Sequence, residues 1–323
     1  MPSTEKFDMM ILRRPLLRFT ATLLLAATTA LGCTAATANT APADRHLSGI
    51  AYTEEAGTPQ LLDLYLPSTR PDGPAPLVIY FHGGGFFFGD RTNMGAPLPW
   101  GSVADIADAL NKRGYAVASV DYRLSPQSQW PAPVFDVKAA VRWLRAHAGT
   151  YGFDPARFAA WGDSAGGYMA AILGTTGDIP ELEGNGGNPG YSTRVQAVAD
   201  WFGPTDFTTM NSQAIPGGLA HDEGSPEHRY LGCAPSQCPD LARAASPVTY
   251  ASSDDPPFLF QHGIIDHLVP FGQSVELNTA LRNTGVRTLF FDYQFTDHEF
   301  IGAADTRTIT QQFFDFLDLA LRA

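Results

Sequence analysis

The segment Trp161-Gly162-Asp163-Ser164-Ala165-Gly166-Gly167 holds the residues of this chain best placed to do chemistry. A short apolar run, Arg157 to Trp161, precedes it, and Tyr168-Met169-Ala170-Ala171-Ile172-Leu173 follows. The pattern reads as strand, tight turn, helix. A serine at the apex of such a turn presents its hydroxyl to a cleft, and the helix N-terminus beneath it favours developing negative charge. Glycines two residues to either side let the backbone turn tightly and the helix pack close. A serine hydroxyl is a weak nucleophile alone. It needs a base, an acid to orient that base, and donors for the oxyanion.

The chain has eight histidines, so the base can be sought by elimination. His46 lies near the start of the mature chain and His147 at a helix end. His221 and His228 sit in an irregular stretch, and His267 directly follows the acid candidate. His82 and His262, at strand ends, are expected to be hydrogen-bonded within the structure. His298, in Asp297-His298-Glu299-Phe300 just past the last strand, is where a loop delivers an imidazole to Ser164. The acid is Asp266, just beyond the penultimate strand and on the same sheet edge. Asp254 and Asp255 precede that strand and belong at the opposite edge. The order Ser164, Asp266, His298 is one known arrangement of such a triad. His82-Gly83-Gly84-Gly85 closes the first long apolar run, and its glycines leave backbone N–H groups free to face a reacting oxygen.

These groups need a scaffold. Leu61 to Leu66 alternates like a half-buried strand, and Leu77 to Phe81 is apolar on both faces. Ala116 to Val120, Arg157 to Trp161, Val195 to Trp201, Phe258 to His262 and Thr288 to Tyr293 continue the series. Helical patterns lie between them at 103–113, from Val134 to Leu144, at 272–283 and at 306–321. Alternating strands and helices predict an α/β fold around a mostly parallel sheet with helices on both faces. Residues 174–194 and 205–250, rich in Gly and Pro or in short helical hints, interrupt the alternation. Both are expected to leave the C-terminal side of the sheet, the second as a lid-like insertion over the site. Residues 39–323 then form a single domain.

Composition bounds the rest. The chain has 323 residues, 44% hydrophobic and 17% charged, as ordinary globular proteins do. Arg13, Arg14 and Arg18 precede Leu23-Leu24-Leu25-Ala26-Ala27, with Ala36-Thr37-Ala38 beyond, which predicts an export signal over residues 1–38. Arg13-Arg14 leaves a twin-arginine route open, and Leu31-Gly32-Cys33 only partly resembles a lipoprotein site, so simple secretion or a periplasmic location is favoured. Cys233 and Cys238 remain as an even pair in an exported protein, hence a disulfide. A zinc site would need more ligands than these and His228 supply. Removing residues 1–38 leaves a net charge of −14, which argues against nucleic acid and anionic lipid as partners.

With these pieces in hand the chain resembles the α/β-hydrolase esterases of the hormone-sensitive lipase or acetyl-esterase type. The resemblance rests on His82-Gly83-Gly84-Gly85, Asp121-Tyr122-Arg123-Leu124-Ser125-Pro126, Gly162 to Gly166, and the Asp266 and His298 segments. It runs from about Leu61 to Leu321. The stretches Leu182-Glu183-Gly184, Val195 to Val198 and Trp201 to Asp206 look closer to bacterial acetyl and feruloyl esterases acting on plant polysaccharides. The resemblance implies Ser164 as nucleophile, His298 as base, Asp266 as orienter, and an oxyanion hole from the N–H groups of Gly84, Gly85 and Ala165. It implies no cofactor. The long N-terminal cap of many relatives has no counterpart before Leu61, so substrate cover is expected from 174–250. Phe86, Phe87 and Phe88, with Trp130 and Trp201, are candidates to line an acyl or aromatic pocket. The expected activity is hydrolysis of short-chain carboxylic esters. A lipase on longer chains, a serine peptidase and a non-catalytic binding protein are the alternatives.

Overall fold

The computed structural model describes residues 45–55, 57–68, 73–92, 101–177 and 179–322. The expected export signal and Cys33 lie outside the described residues. Eight strands form one sheet: β1 (Arg45–Glu55), β2 (Thr58–Leu66), β3 (Ala75–Phe81), β4 (Ala116–Val120), β5 (Phe153–Asp163), β6 (Ala197–Trp201), β7 (Phe258–Gly263) and β8 (Thr288–Tyr293). Their spatial order is β1-β2-β4-β3-β5-β6-β7-β8. β2 runs antiparallel to both neighbours, and every pairing from β4 to β8 is parallel. This is the α/β-hydrolase architecture expected from the sequence.

The continuous apolar runs are the central strands because both faces are covered. Every residue of β3, β4, β6 and β7 is buried. Side-chain alternation splits the core in two. Leu77, Ile79 and Phe81 join one cluster, with Val134, Val137 and Val141 of helix Ala132–Ala146 and Met169 and Ile172 of helix Ala165–Thr175. Val78 and Tyr80 join the other, with Ile106 and Leu110 of helix Val103–Lys112 and Phe313 and Leu317 of helix Thr306–Leu321. Helix Val103–Lys112 starts at a capping box, in which the Ser102 N–H donates to Asp105 at 2.7 Å and Ser102 caps the Asp105 N–H.

Two features differ from expectation. β1 was not anticipated, because register shifts between Leu47 and Ile50 and between Ala51 and Thr53 erase the two-residue period that marks a strand. Residues 174–194 do not rise over the C-terminal edge of the sheet. Helix Ala165–Thr175 starts at that edge and carries the chain back to the strand N-termini, so the segment following it packs against helix Ala132–Ala146. Buried Lys138 donates there to Glu183 at 2.7 Å and to the Thr176 carbonyl at 2.6 Å. Arg142 donates to Glu183 and to the Gly186 carbonyl.

Candidate active site

β5 ends at Asp163, and Ser164 turns the chain into the next helix with φ 54° and ψ −121°. A non-glycine residue holds that conformation only when its surroundings enforce it. The Ser164 N–H donates to the Trp201 carbonyl at 2.9 Å. A Cβ on Gly166 would run into the Phe81 and His82 carbonyls, so glycine there lets the helix seat against the end of β3. The elbow, β3 and β6 are thereby locked together at the C-terminal edge.

The imidazole arrives from the other side. His298 opens the short turn His298–Phe300 after β8, and Asp297 fixes it by accepting the His298 N–H at 2.7 Å and the His267 N–H at 2.8 Å. His298 Nδ1 lies 2.7 Å from Asp266 Oδ2, and Nε2 lies 3.0 Å from Ser164 Oγ. Asp266 Oδ1 accepts the N–H groups of Leu268 and Val269 at 2.8 and 2.7 Å, which aims the carboxylate. Burial alone would raise the Asp266 carboxyl. The His298 charge and hydrogen bonds from His262 and His298 outweigh it and hold the group well below the usual carboxylate range. With Nδ1–H donated to a permanent anion, Nε2 is left to accept the Ser164 proton.

Above Ser164 lies the glycine loop. The Gly84 and Gly85 N–H groups donate to no acceptor among the described residues, and Ala165, first in its helix, has no intrahelical acceptor. Gly84 has φ 113°, and a Cβ there would strike the Phe88 carbonyl. A cleft of about 370 Å³ opens over Ser164, walled by Phe87, Phe88, Leu219, Pro226, Leu268 and Ile301 among others. Phe87 and Phe88 are part-exposed on its wall, with the Arg229 guanidinium 5.0 Å above the Phe87 ring. Phe86, also on the wall, is anchored beneath the loop by stacking on Tyr230 at 4.2 Å.

The two tryptophans do not reach the cleft. Trp201 is fully buried on the far face of the sheet, edge-on to Trp161 at 4.9 Å and Phe300 at 5.5 Å. Its strand places it at the right edge, but alternation points its ring into the core. Trp130, just before helix Ala132–Ala146, packs on the core beside that helix. The cover over the site comes from 205–250 through Leu219, Pro226 and Glu227, and the described residues of 174–194 contribute none of the lining.

The sequence reading expected His262 to be hydrogen-bonded but not its place behind Asp266, and it gave Asp297 and Glu299 no role. His262 Nε2 hydrogen-bonds to the Val269 carbonyl at 3.0 Å and lies 3.2 Å from Asp266 Oδ2, while its Nδ1 meets Ser274 Oγ at 2.8 Å. Its place at a strand end adjoining the acid segment was the available signal. Asp297 and Glu299 flank His298, and adjacency alone does not say which way either points. Cys233 and Cys238 are joined as a disulfide in the covering segment. No group of three or more His, Cys, Asp or Glu residues suited to a metal is found among the described residues.

Comparison with known proteins agrees with this fold. The chain is 31% identical over 270 residues to the esterase LipQ of Mycobacterium tuberculosis, covering 81% of this chain and 59% of that relative. It therefore spans about three fifths of the length of such curated relatives. Among solved structures, a truncated carbohydrate esterase from gut microbiota superposes with a TM-score of 0.72 at 28% identity, covering 84% of this chain and 96% of that one. A bifunctional GH43-CE protein of Bacteroides eggerthii matches with a TM-score of 0.71 at 30% identity, over 85% of this chain and 38% of that one. The BD-FAE family model matches residues 62–281, which contain Ser164, Asp266 and the glycine loop. The chain belongs to the BD-FAE family, on an α/β-hydrolase fold.

Proposed function

We propose that this protein is an exported serine carboxylesterase that removes short acyl groups, acetyl above all, from carbohydrate-linked alcohols. The observation that carries the reading is the continuous relay from Asp266 through His298 to Ser164, with contacts of 2.7 and 3.0 Å beneath the glycine-loop N–H groups. Ser164 Oγ attacks the ester carbonyl carbon while His298 Nε2 takes its proton. The carbonyl oxygen becomes an oxyanion facing the N–H groups of Gly84, Gly85 and Ala165, each such donor being worth about 3 kcal/mol of barrier. Collapse breaks the bond to the alcohol oxygen, which leaves with the proton from His298. Water then repeats the sequence and releases the carboxylic acid and free serine.

The cleft favours small acyl groups. At about 370 Å³ it lies near the low end of small-molecule sites, and the aromatic wall of Phe87 and Phe88 stands directly beyond the oxyanion glycines. The likeness to a carbohydrate esterase supports the sugar-linked alcohol. Export draws on the N-terminal pattern and on the Cys233–Cys238 disulfide, since disulfides persist in oxidising compartments. The deciding measurement is kcat/KM across p-nitrophenyl esters from acetate to palmitate, followed by acetylated and feruloylated oligosaccharides. Acetate to butyrate should lead. A maximum at long acyl chains would make the protein a lipase, and no turnover of any ester, with no phosphonate labelling of Ser164, would sink the reading.

A further inference from the structure

Glu299 is an acidic side chain that the relay does not use. It follows His298 directly and lines the cleft, yet only 11% of its side chain is exposed. Its Oε2 is enclosed and meets no hydrogen-bond partner among the described residues. Its Oε1 lies 3.9 Å from His298 Nε2, the atom that returns a proton to the departing alcohol oxygen. That is too long for a direct hydrogen bond, so the carboxyl flanks the proton path without closing it.

The backbone holds Glu299 there against its preference. Glu299 has φ 58° and ψ 23°, and Phe300 has φ 55°. Phe300 has an evident packing reason, being buried edge-on to Phe202 at 4.8 Å. Glu299 has none, and a glycine would hold the turn without strain. The titratable groups around it include Asp163, Asp266, His298 and Tyr80. Burial, and then the nearby Asp163 and Asp266 charges, push the Glu299 carboxyl upward, so it carries its proton near neutral pH. The adjoining Asp163, buried and hydrogen-bonded by the Tyr80 hydroxyl, is raised in the same direction by burial. A protonated carboxyl with no acceptor among the described residues, beside the leaving oxygen, is a donor awaiting a substrate atom.

We propose that Glu299 is a specificity-determining residue that donates a hydrogen bond to a second oxygen of the leaving alcohol, carried on the carbon next to the one that bears the ester oxygen. An alcohol with neighbouring oxygens, as in sugars and glycols, places that oxygen beside the ester oxygen. When the ester oxygen reaches His298 Nε2, the neighbouring oxygen comes within reach of the Glu299 carboxyl. A plain alkyl alcohol has nothing to offer and leaves the buried donor unpaired, which is how polar sites reject apolar isosteres. The inference rests on the esterase reading of the site and adds the alcohol half of its substrate.

The test uses two acetate esters of matched length, 2-methoxyethyl acetate and butyl acetate, which share the acyl group and differ by one ether oxygen. An ether oxygen only accepts, so it reports a donor on the protein. The quantity read is the ratio of kcat/KM for the two esters in wild type, Glu299→Ala and Glu299→Gln. The wild-type ratio should favour the ether. Glu299→Ala should lower that ratio about tenfold, the worth of one hydrogen bond. Glu299→Gln, whose amide donates without a proton to lose, should hold it within about threefold of wild type. Phosphonate labelling of Ser164 in each variant verifies an assembled site. An unchanged ratio in Glu299→Ala, or an equal fall in Glu299→Gln, overturns the inference while the esterase reading stands. Wild type that cleaves neither ester overturns both.

Discussion

Residues 174–194 and 205–250 look alike in composition and do opposite things. Both are irregular, rich in glycine and proline, and carry only one-turn or two-turn helices. The first lies at the strand N-termini and is held by ion pairs in which buried Lys138 and Arg142 meet Glu183. The second lies at the strand C-termini, carries the disulfide, and places Leu219, Pro226 and Glu227 on the cleft. In a parallel sheet every strand delivers the chain to one edge and every crossover helix returns it to the other. An irregular segment after a strand therefore meets the site, and one after a helix meets the frame. Which element precedes a loop matters more than what the loop is made of.

If that division holds, changes at the two edges should separate turnover from stability. The largest effect belongs to the relay. Ser164→Ala should lower kcat by about 10⁴-fold or more and abolish phosphonate labelling, with an unchanged melting temperature. Asp266→Asn should cost about 10³- to 10⁴-fold by leaving the imidazole badly oriented. Asp254, which pairs with Arg194 at the opposite edge, should cost almost nothing when changed to Asn. A loss from Asp254→Asn matching that from Asp266→Asn would break the comparison.

At the frame edge the expected effect is on folding. Glu183→Ala withdraws the carboxylate from two cations whose side chains are 0% and 4% exposed, and should destabilise by about 3–5 kcal/mol. Turnover per folded molecule should stay within about twofold, which active-site titration against a thermal melt would show. A fall in turnover with stability intact would assign 174–194 to the site.

A pH effect sharpens the cleft edge. Burial pushes the Asp200 carboxyl, near the end of β6, up to about 6. Its Oδ1 accepts the Gly203 N–H at 2.8 Å, while Oδ2 has no partner among the described residues. The native state therefore holds this proton more tightly than the unfolded chain. The stabilisation is complete below the ordinary carboxylate range and lost as pH rises through about 6. Asp200→Asn stays neutral and should gain on wild type by about 3 kcal/mol between pH 4 and pH 8. Parallel melting curves for the two proteins across that range would contradict it.

The smallest effect is expected from the disulfide. Cys233 and Cys238 close a loop of sequence separation 5, so replacing both with Ser should cost at most about 2 kcal/mol. Limited proteolysis should find the loosening within 205–250, with modest change in kcat. Cleavage appearing first in 174–194 would show that the two segments are not independent.

Much of the site was legible because chemistry there is tied to chain order. Gly162 to Gly166 announces a turn that few other residues could make, and the histidine and aspartate each follow a recognisable strand. β1 was not legible, since its bulges hide the alternation that marks a strand. Trp201 was misplaced because a residue number locates a strand end but not the face a ring points to.

The amino-acid sequence by itself determined the alternating elements, their α/β class, the serine turn and the order of the three relay residues. These follow from local periodicity, turn stereochemistry and spacing, which act over a few residues. The tertiary structure alone decided which irregular segment covers the cleft, that His262 backs Asp266, and that Glu299 stands beside His298 with an oxygen that has no partner among the described residues. Those relations join residues on different strands and returning loops. They exist only once the sheet has packed and its two edges have become distinct.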